Sequence, residues 1–215
     1  MQLYIDMVTS TGQWLWALGD LDPGQPQMIR AAAILADGPR IIDRMCRLVS
    51  PLPGRPYMTP QGSLLTGIDH NDLTDQGVVL GAVLARLAMF INRADLIVGH
   101  NIDFHTRVMR HAFADGALPM PELPAQFCTM RKSTRIVGAR NELGRKKFPR
   151  LAEAYSFFAG HALELPAAPI ARGDAMVDAV HMIHAGLLEH QAEAAPQASL
   201  FDHGMPSNDP LPPAA

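Results

Sequence analysis

The chain has 215 residues, 48% of them hydrophobic and 18% charged, which suits one domain with a full hydrophobic core plus an appendage and excludes wholesale disorder. Its net charge of -3 excludes a uniformly basic nucleic-acid binder, and its two cysteines, Cys46 and Cys128, exclude a disulfide framework or a zinc site. They read as reduced, buried thiols of a cytoplasmic protein. The longest apolar stretches, 78–91 and 94–98, are too short to span a bilayer, and the N-terminal residues lack a basic segment followed by an apolar one. No membrane partner and no secretory signal are expected.

The first residues alternate, with Leu3, Ile5 and Met7 on one face, and end at the turn Thr9-Ser10-Thr11-Gly12. Two further strands are predicted over Met28–Leu35 and Ile41–Val49, joined at Ala36-Asp37-Gly38-Pro39. Three strands with such a short link imply an antiparallel meander. After a connection carrying Pro51, Pro53, Pro56 and Pro60, the period becomes helical at Val79, Val83, Leu87, Phe90 and Ile91. A short strand, Leu96-Ile97-Val98, gives way at Gly99-His100-Asn101 to an amphipathic helix with Phe104, Val108 and Met109. A helix is predicted from about Pro149 to Phe158, stopped by Gly160, and a last one from an Asp174 N-cap to about Glu189. From Gln191 the composition turns to Ala, Pro and small polar residues and predicts an unstructured tail, so the domain is placed at 1–190 and the tail at 191–215. A meander followed by alternating helices and strands is an α/β plan with a mixed sheet.

The charge is unevenly spread. Arg131, Lys132, Arg135, Arg140, Arg145, Lys146, Lys147 and Arg150 face only Glu142 in their window, which carries +7 while the rest of the chain carries -10. Such a patch on an acidic body fits contact with phosphates, and equally a solvated basic loop.

Three segments resemble the motifs of the DnaQ-like (DEDDh-type) 3'→5' exonucleases. The first strand carries Ile5-Asp6-Met7-Val8-Thr9-Ser10, where the family has Asp-x-Glu-Thr-Thr. The strand-to-helix junction reads Val98-Gly99-His100-Asn101-Ile102-Asp103-Phe104-His105, where the family has His-Asn-x-x-Phe-Asp. The late helix opens Gly173-Asp174-Ala175-Met176-Val177-Asp178, where it has His-x-Ala-x-x-Asp. Cys128-Thr129-Met130 and the run from Lys147 to Phe158 are similar to the phage and prophage branch. The resemblance covers about residues 1 to 190 and implies an RNase H-like three-layer fold: a mixed central sheet, antiparallel meander then parallel strands, flanked by helices.

The family's two-metal chemistry gathers four carboxylates around a pair of magnesium ions and adds a histidine base. The resemblance places Asp6 and Asp178 at the first and last carboxylate positions. Val8 stands at the second, His105 at the third and Gly173 at the base; the family's tyrosine variant fails as well, since its position is Asp174. Two-metal occupancy is therefore not expected, and the cofactor expectation is none, or one weakly bound Mn²⁺ or Mg²⁺ at Asp6, Asp178 and His105, a ligand mixture that suits a transition ion better than magnesium. Asp103 is expected to cap its helix, and His181 and His184 to lie on a half-exposed helix face.

Near the end of the chain, Gln197-Ala198-Ser199-Leu200-Phe201 resembles the peptide by which bacterial polymerases and repair factors bind the sliding clamp, with Ala198 where leucine is usual. The leading expectation is a pseudoenzyme of DNA replication or repair that binds single-stranded DNA or a 3' end through the 131–150 patch, with the clamp as a second partner through Gln197, Leu200 and Phe201. The alternatives are an active exonuclease with an altered transition-metal site and a protein-interaction module on the same fold.

Overall fold

The structure, a computed structural model, describes residues 1–52 and 58–201, with side chains up to residue 193. Strands β1 (Gln2–Thr9), β2 (Met28–Asp37) and β3 (Arg40–Leu48) form the predicted meander. β4 (Leu96–Gly99) and β5 (Ala125–Cys128) add to its other side, giving the order β3-β2-β1-β4-β5. The first two pairings are antiparallel; β1 with β4 and β4 with β5 are parallel.

Alternation along β1 assigns the two faces. Leu3, Ile5 and Met7 join Ala31, Ala33 and Leu35 under helices α3 (Leu80–Ile91) and α4 (Ile102–Asp115), against Val83, Leu87, Phe90, Val108 and Phe113. Tyr4 on the opposite face packs with Ala32, Ile34, Ala36, Cys46 and Val98 beneath Val177 and Val180 of α7 (Pro169–Phe201). Alanines on that face of β2 let α7 lie close to the sheet. This helix–sheet–helix sandwich is the three-layer plan expected from the sequence. Among the described residues, no helix is long and apolar enough to cross a membrane.

Several elements escaped the sequence reading. The proline-bearing connection holds two short helices, α1 (Pro60–Thr66) and α2 (His70–Gln76), capped by Thr59 and Asp69. Helix α5 (Thr129–Val137) follows β5 directly; α6 (Leu151–Ala159), which was predicted, starts two residues after Pro149 and stops at Gly160 as expected.

The last helix corrects two expectations. It starts at Pro169, so Asp174 lies inside it and is not its N-cap. It also continues through Phe201, past the predicted end near Glu189, so the backbone of Gln197, Leu200 and Phe201 is helical where an unstructured tail was expected; their side chains lie outside the described residues. The cap of α4 is Asn101, in the left-handed conformation at φ 70°, which asparagine tolerates better than most residues. Asp103 sits in the first turn, is no cap, and pairs with Arg131. Both cysteines are free and buried, as predicted.

Candidate functional site

β4 ends at Gly99, paired with Ile5, and on that side β1 runs on unpaired through Asp6, Met7 and Val8 while β2 still holds its other edge. A crevice opens where parallel strands end and the chain turns into a helix, the usual place for a site in an α/β sheet. Here it is a cleft of about 330 Å³ lined by Asp6, Val8, Thr9, Arg30, Thr66, His100, Asn101, Phe104, His105, Leu151, Arg172 and Met176, among others. Asp6 is the single carboxylate among these walls.

His105 continues the sheet. Past Gly99 the backbone N–H of Met7 has no strand to pair with, and it donates to His105 Nδ1 at 3.0 Å. That fixes the ring proton on Nε2, which donates to the His100 carbonyl at 3.0 Å. Both nitrogens are therefore engaged, and an imidazole with no free lone pair cannot ligate an ion. Burial lowers its pKa, only partly opposed by Asp6 and by the two backbone hydrogen bonds, so the ring stays neutral. His100 braces the junction: Nε2 donates to the Pro149 carbonyl at 2.9 Å, Nδ1 meets the Thr129 hydroxyl at 3.0 Å, and burial keeps it neutral as well.

The residue that the sequence reading missed is Arg30. It stands opposite Val8 on β2, so both side chains leave the sheet on the α7 face. Arg30 is 1% exposed, and its guanidinium donates to Asp6 Oδ2 at 3.0 Å, to the Pro169 carbonyl at 3.2 Å and towards Met176 Sδ at 3.2 Å. A fixed cation thus occupies the flank of Asp6. Valine at position 8 offers no acceptor, so Asp6 is the carboxylate that the guanidinium meets. One signal was legible: Arg30 is the lone charge in the run Met28–Leu35, and a charge in an inner strand needs a partner within reach.

Gly173 fits around this arginine. A Cβ at that position would lie 2.5 Å from Cys46 Sγ and 2.9 Å from Arg30 Nε, so no larger side chain enters without displacing them. Burial pushes the Cys46 thiol up to about 12, and it serves as packing. Glycine at 173 and arginine at 30 are two sides of one packing solution.

Asp178 points elsewhere. Its carboxylate accepts from Arg44 of β3 at 3.0 Å and lines a separate cleft with Tyr155, His161 and Glu164. Asp174 is held above the usual carboxylate range, mainly by burial, with Arg44 opposing and Asp178 reinforcing. The structure therefore does not bring Asp6, His105 and Asp178 into one cleft as free donors. Among the described residues, no group of three or more His, Cys, Asp or Glu side chains is arranged to hold a metal. The residues present do not fit the metal pair that the family resemblance implies. His184, expected on a half-exposed face, is buried; it bonds the Tyr4 hydroxyl at 2.9 Å, while His181 lies over the Tyr4 ring.

The basic segment forms a small hairpin beside the cleft. Arg140 bridges Lys146, Asn141 accepts from Leu143 and Arg145 through its side chain, and Gly144 turns the chain at φ 72°. Its end reaches the cleft wall through the Pro149 carbonyl and Leu151. Arg131 is paired with Asp103 and Lys147 with Glu153. Lys132, Arg135, Arg140, Arg145, Lys146 and Arg150 are exposed and form no salt bridge among the described residues. Two apolar side chains, Leu143 at 76% and Phe148 at 57% exposure, stand among them.

A family model of exonucleases, the RNase T type, matches residues 20–159, which lie between the first-strand and last-helix motifs. No curated protein matches the chain. Among solved structures, exonuclease X in complex with 5' overhanging duplex DNA is similar at a TM-score of 0.53 and 19% identity, over 89% of this chain and 93% of that one. E. coli exonuclease I in complex with a dT13 oligonucleotide is similar at 0.62 and 18% identity, over 94% of this chain but 42% of that one. Apo exonuclease I gives 0.61 at 18%, again spanning less than half of its length. The family match covers more than half of the chain, and the mixed sheet with its crevice agrees with it: the chain belongs to the RNase T exonuclease family, the DnaQ-like exonucleases of RNase H-like fold.

Proposed function

We propose that this chain is a catalytically silent member of its family that binds single-stranded nucleic acid, 3' ends included, in the cleft and along the basic hairpin. The observation that carries the reading is the buried Arg30–Asp6 pair. A guanidinium brings positive charge to Asp6 but offers neither an open coordination position nor a bound water to activate. No imidazole lining the cleft has a lone pair free to accept a proton, since His100 and His105 spend both nitrogens on fixed partners.

The walls still suit a nucleotide. They are largely apolar, and they offer the guanidinium of Arg172 and the carboxamide of Asn101. The exposed cations of the hairpin suit the backbone that would leave the cleft. Complexes of exonuclease X with overhanging duplex DNA and of exonuclease I with dT13 support this choice of ligand. The clamp-like peptide at Gln197, Leu200 and Phe201 supports delivery to a sliding clamp, on its sequence alone.

The test uses the full chain with a 5'-labelled single-stranded oligonucleotide in Mg²⁺ and in Mn²⁺. Expected are salt-sensitive binding and no shortening with either ion. Metal-dependent shortening that disappears in Asp6→Asn would overturn the reading in favour of an active enzyme. Absence of any binding at low salt would favour an interaction module.

A further inference from the structure

The loop between β1 and β2 is fixed at several points and still presents an indole to solvent. Thr9 Oγ1 donates to the Gln13 carbonyl at 2.6 Å. Gln25, 3% exposed, donates to the carbonyls of Leu15 at 3.0 Å and Gly19 at 3.1 Å and accepts from the Leu15 N–H at 3.2 Å. Trp14 is buried against the edge of His111. Two residues on, Trp16 is 58% exposed, with Arg107 of α4 stacked at 5.3 Å from its ring centroid. Arg107 is itself held by Asp20. One face of the indole is thus backed by a positioned cation, which orients the ring and leaves the other face to solvent.

Trp16 lines a shallow cleft of about 360 Å³ with Gln13, Trp14, Gly12, Asn101 and Phe104, and the last three also line the main cleft. The two clefts therefore adjoin, with the Asn101 carboxamide, free of side-chain hydrogen bonds among the described residues, at their shared wall. A large exposed aromatic ring, a cation behind it and an amide beside it are what a stacked nucleobase needs: a π-face for area and a donor–acceptor pair for its edge.

We infer that Trp16, backed by Arg107 and flanked by Asn101 and Phe104, is a stacking subsite for a nucleobase of bound single-stranded nucleic acid. The inference rests on the nucleic-acid reading above and is tested so that the two can fail separately. The chain has two tryptophans, so a quench that Trp16→Phe removes is assigned to Trp16, while the remaining emission of buried Trp14 reports that the fold is intact.

The probe is oligothymidylate added to the full chain in EDTA, with binding followed in parallel by anisotropy of a labelled oligonucleotide. Wild type should show quenching that tracks binding. Trp16→Phe should lose the quench and keep affinity within a few-fold, whereas Trp16→Leu should weaken binding about tenfold, the loss typical of one stacked base, with the salt slope unchanged because no phosphate contact is removed. Binding that persists without quenching, or that survives Trp16→Leu at wild-type affinity, would overturn the stacking subsite and leave the nucleic-acid reading intact. No binding to any oligonucleotide at low salt would overturn both.

Discussion

In a carboxylate cluster built for metal ions, removing one acid from the metal-free protein relieves repulsion and raises stability. In this chain the same change has the opposite sign. Asp6 and Arg30 have side chains 8% and 1% exposed and are 3.0 Å apart, so Asp6→Asn leaves a guanidinium buried without its counter-charge. Breaking a buried pair from one side costs about 3–5 kcal/mol. For a domain of this size each kcal/mol shifts the melting temperature by roughly 2–4 °C, so the variant should melt about 6–20 °C below wild type. Asp6→Leu combined with Arg30→Met removes both charges and should recover most of the loss. Thermal unfolding followed by circular dichroism in EDTA reads all three. The same instrument tests metals: 10 mM MgCl₂ should leave wild type unmoved, whereas a site with a dissociation constant of about 1 mM would add about 1.4 kcal/mol. A melting temperature for Asp6→Asn equal to or above that of wild type would refute the reasoning.

Other consequences follow from the same geometry. Gly173→Ala, normally favourable inside a helix, should destabilise by about 1–3 kcal/mol because its Cβ meets Cys46 Sγ, and Cys46→Ala in the same chain should recover much of that in denaturant unfolding. Burial lowers the pKa of His105, His100 and His184, so below about pH 6.5 the unfolded chain takes up protons that the native chain refuses. Stability is therefore full above that pH and falls as the pH drops, by up to about 1.4 kcal/mol per unit for His105 alone; His105→Gln should flatten the profile measured by urea unfolding between pH 7 and 5. Arg145→Glu with Lys146→Glu should weaken oligonucleotide binding and reduce its salt slope by about two contacts, as read by anisotropy across a salt series. For the terminal peptide, Leu200→Ala with Phe201→Ala should abolish recovery of sliding clamp in a pull-down, and equal recovery would end that idea.

Much of the fold was legible because it rests on patterns of period two and 3.6. The alternation of β1, the turn at Gly38 and the helical spacing from Val79 to Ile91 each specify an element and the face it buries. The short strand β5 and helix α5 were not, since Ala125-Gln126-Phe127-Cys128 lacks the apolar run that marks β4 and α5 buries little beyond Thr129 and Ser133. Asp174 misled because aspartate is a good N-cap, yet Pro169 supplied the first turn. At the site, motif spacing located Asp6, His105, Gly173 and Asp178, but their present roles depend on residues outside the motifs. Arg30 reaches Asp6 across a register of strands, Met7 reaches His105 through a backbone amide, and Arg44 draws Asp178 to another cleft. Such contacts arise from sheet register and helix placement, which a linear motif does not encode.

The most direct test of the central claim is an anomalous difference map from crystals of the full chain soaked in MnCl₂. The account predicts no manganese within bonding distance of Asp6, with the Arg30 guanidinium still against its carboxylate. One or two manganese peaks beside Asp6, with Arg30 swung away, would contradict it.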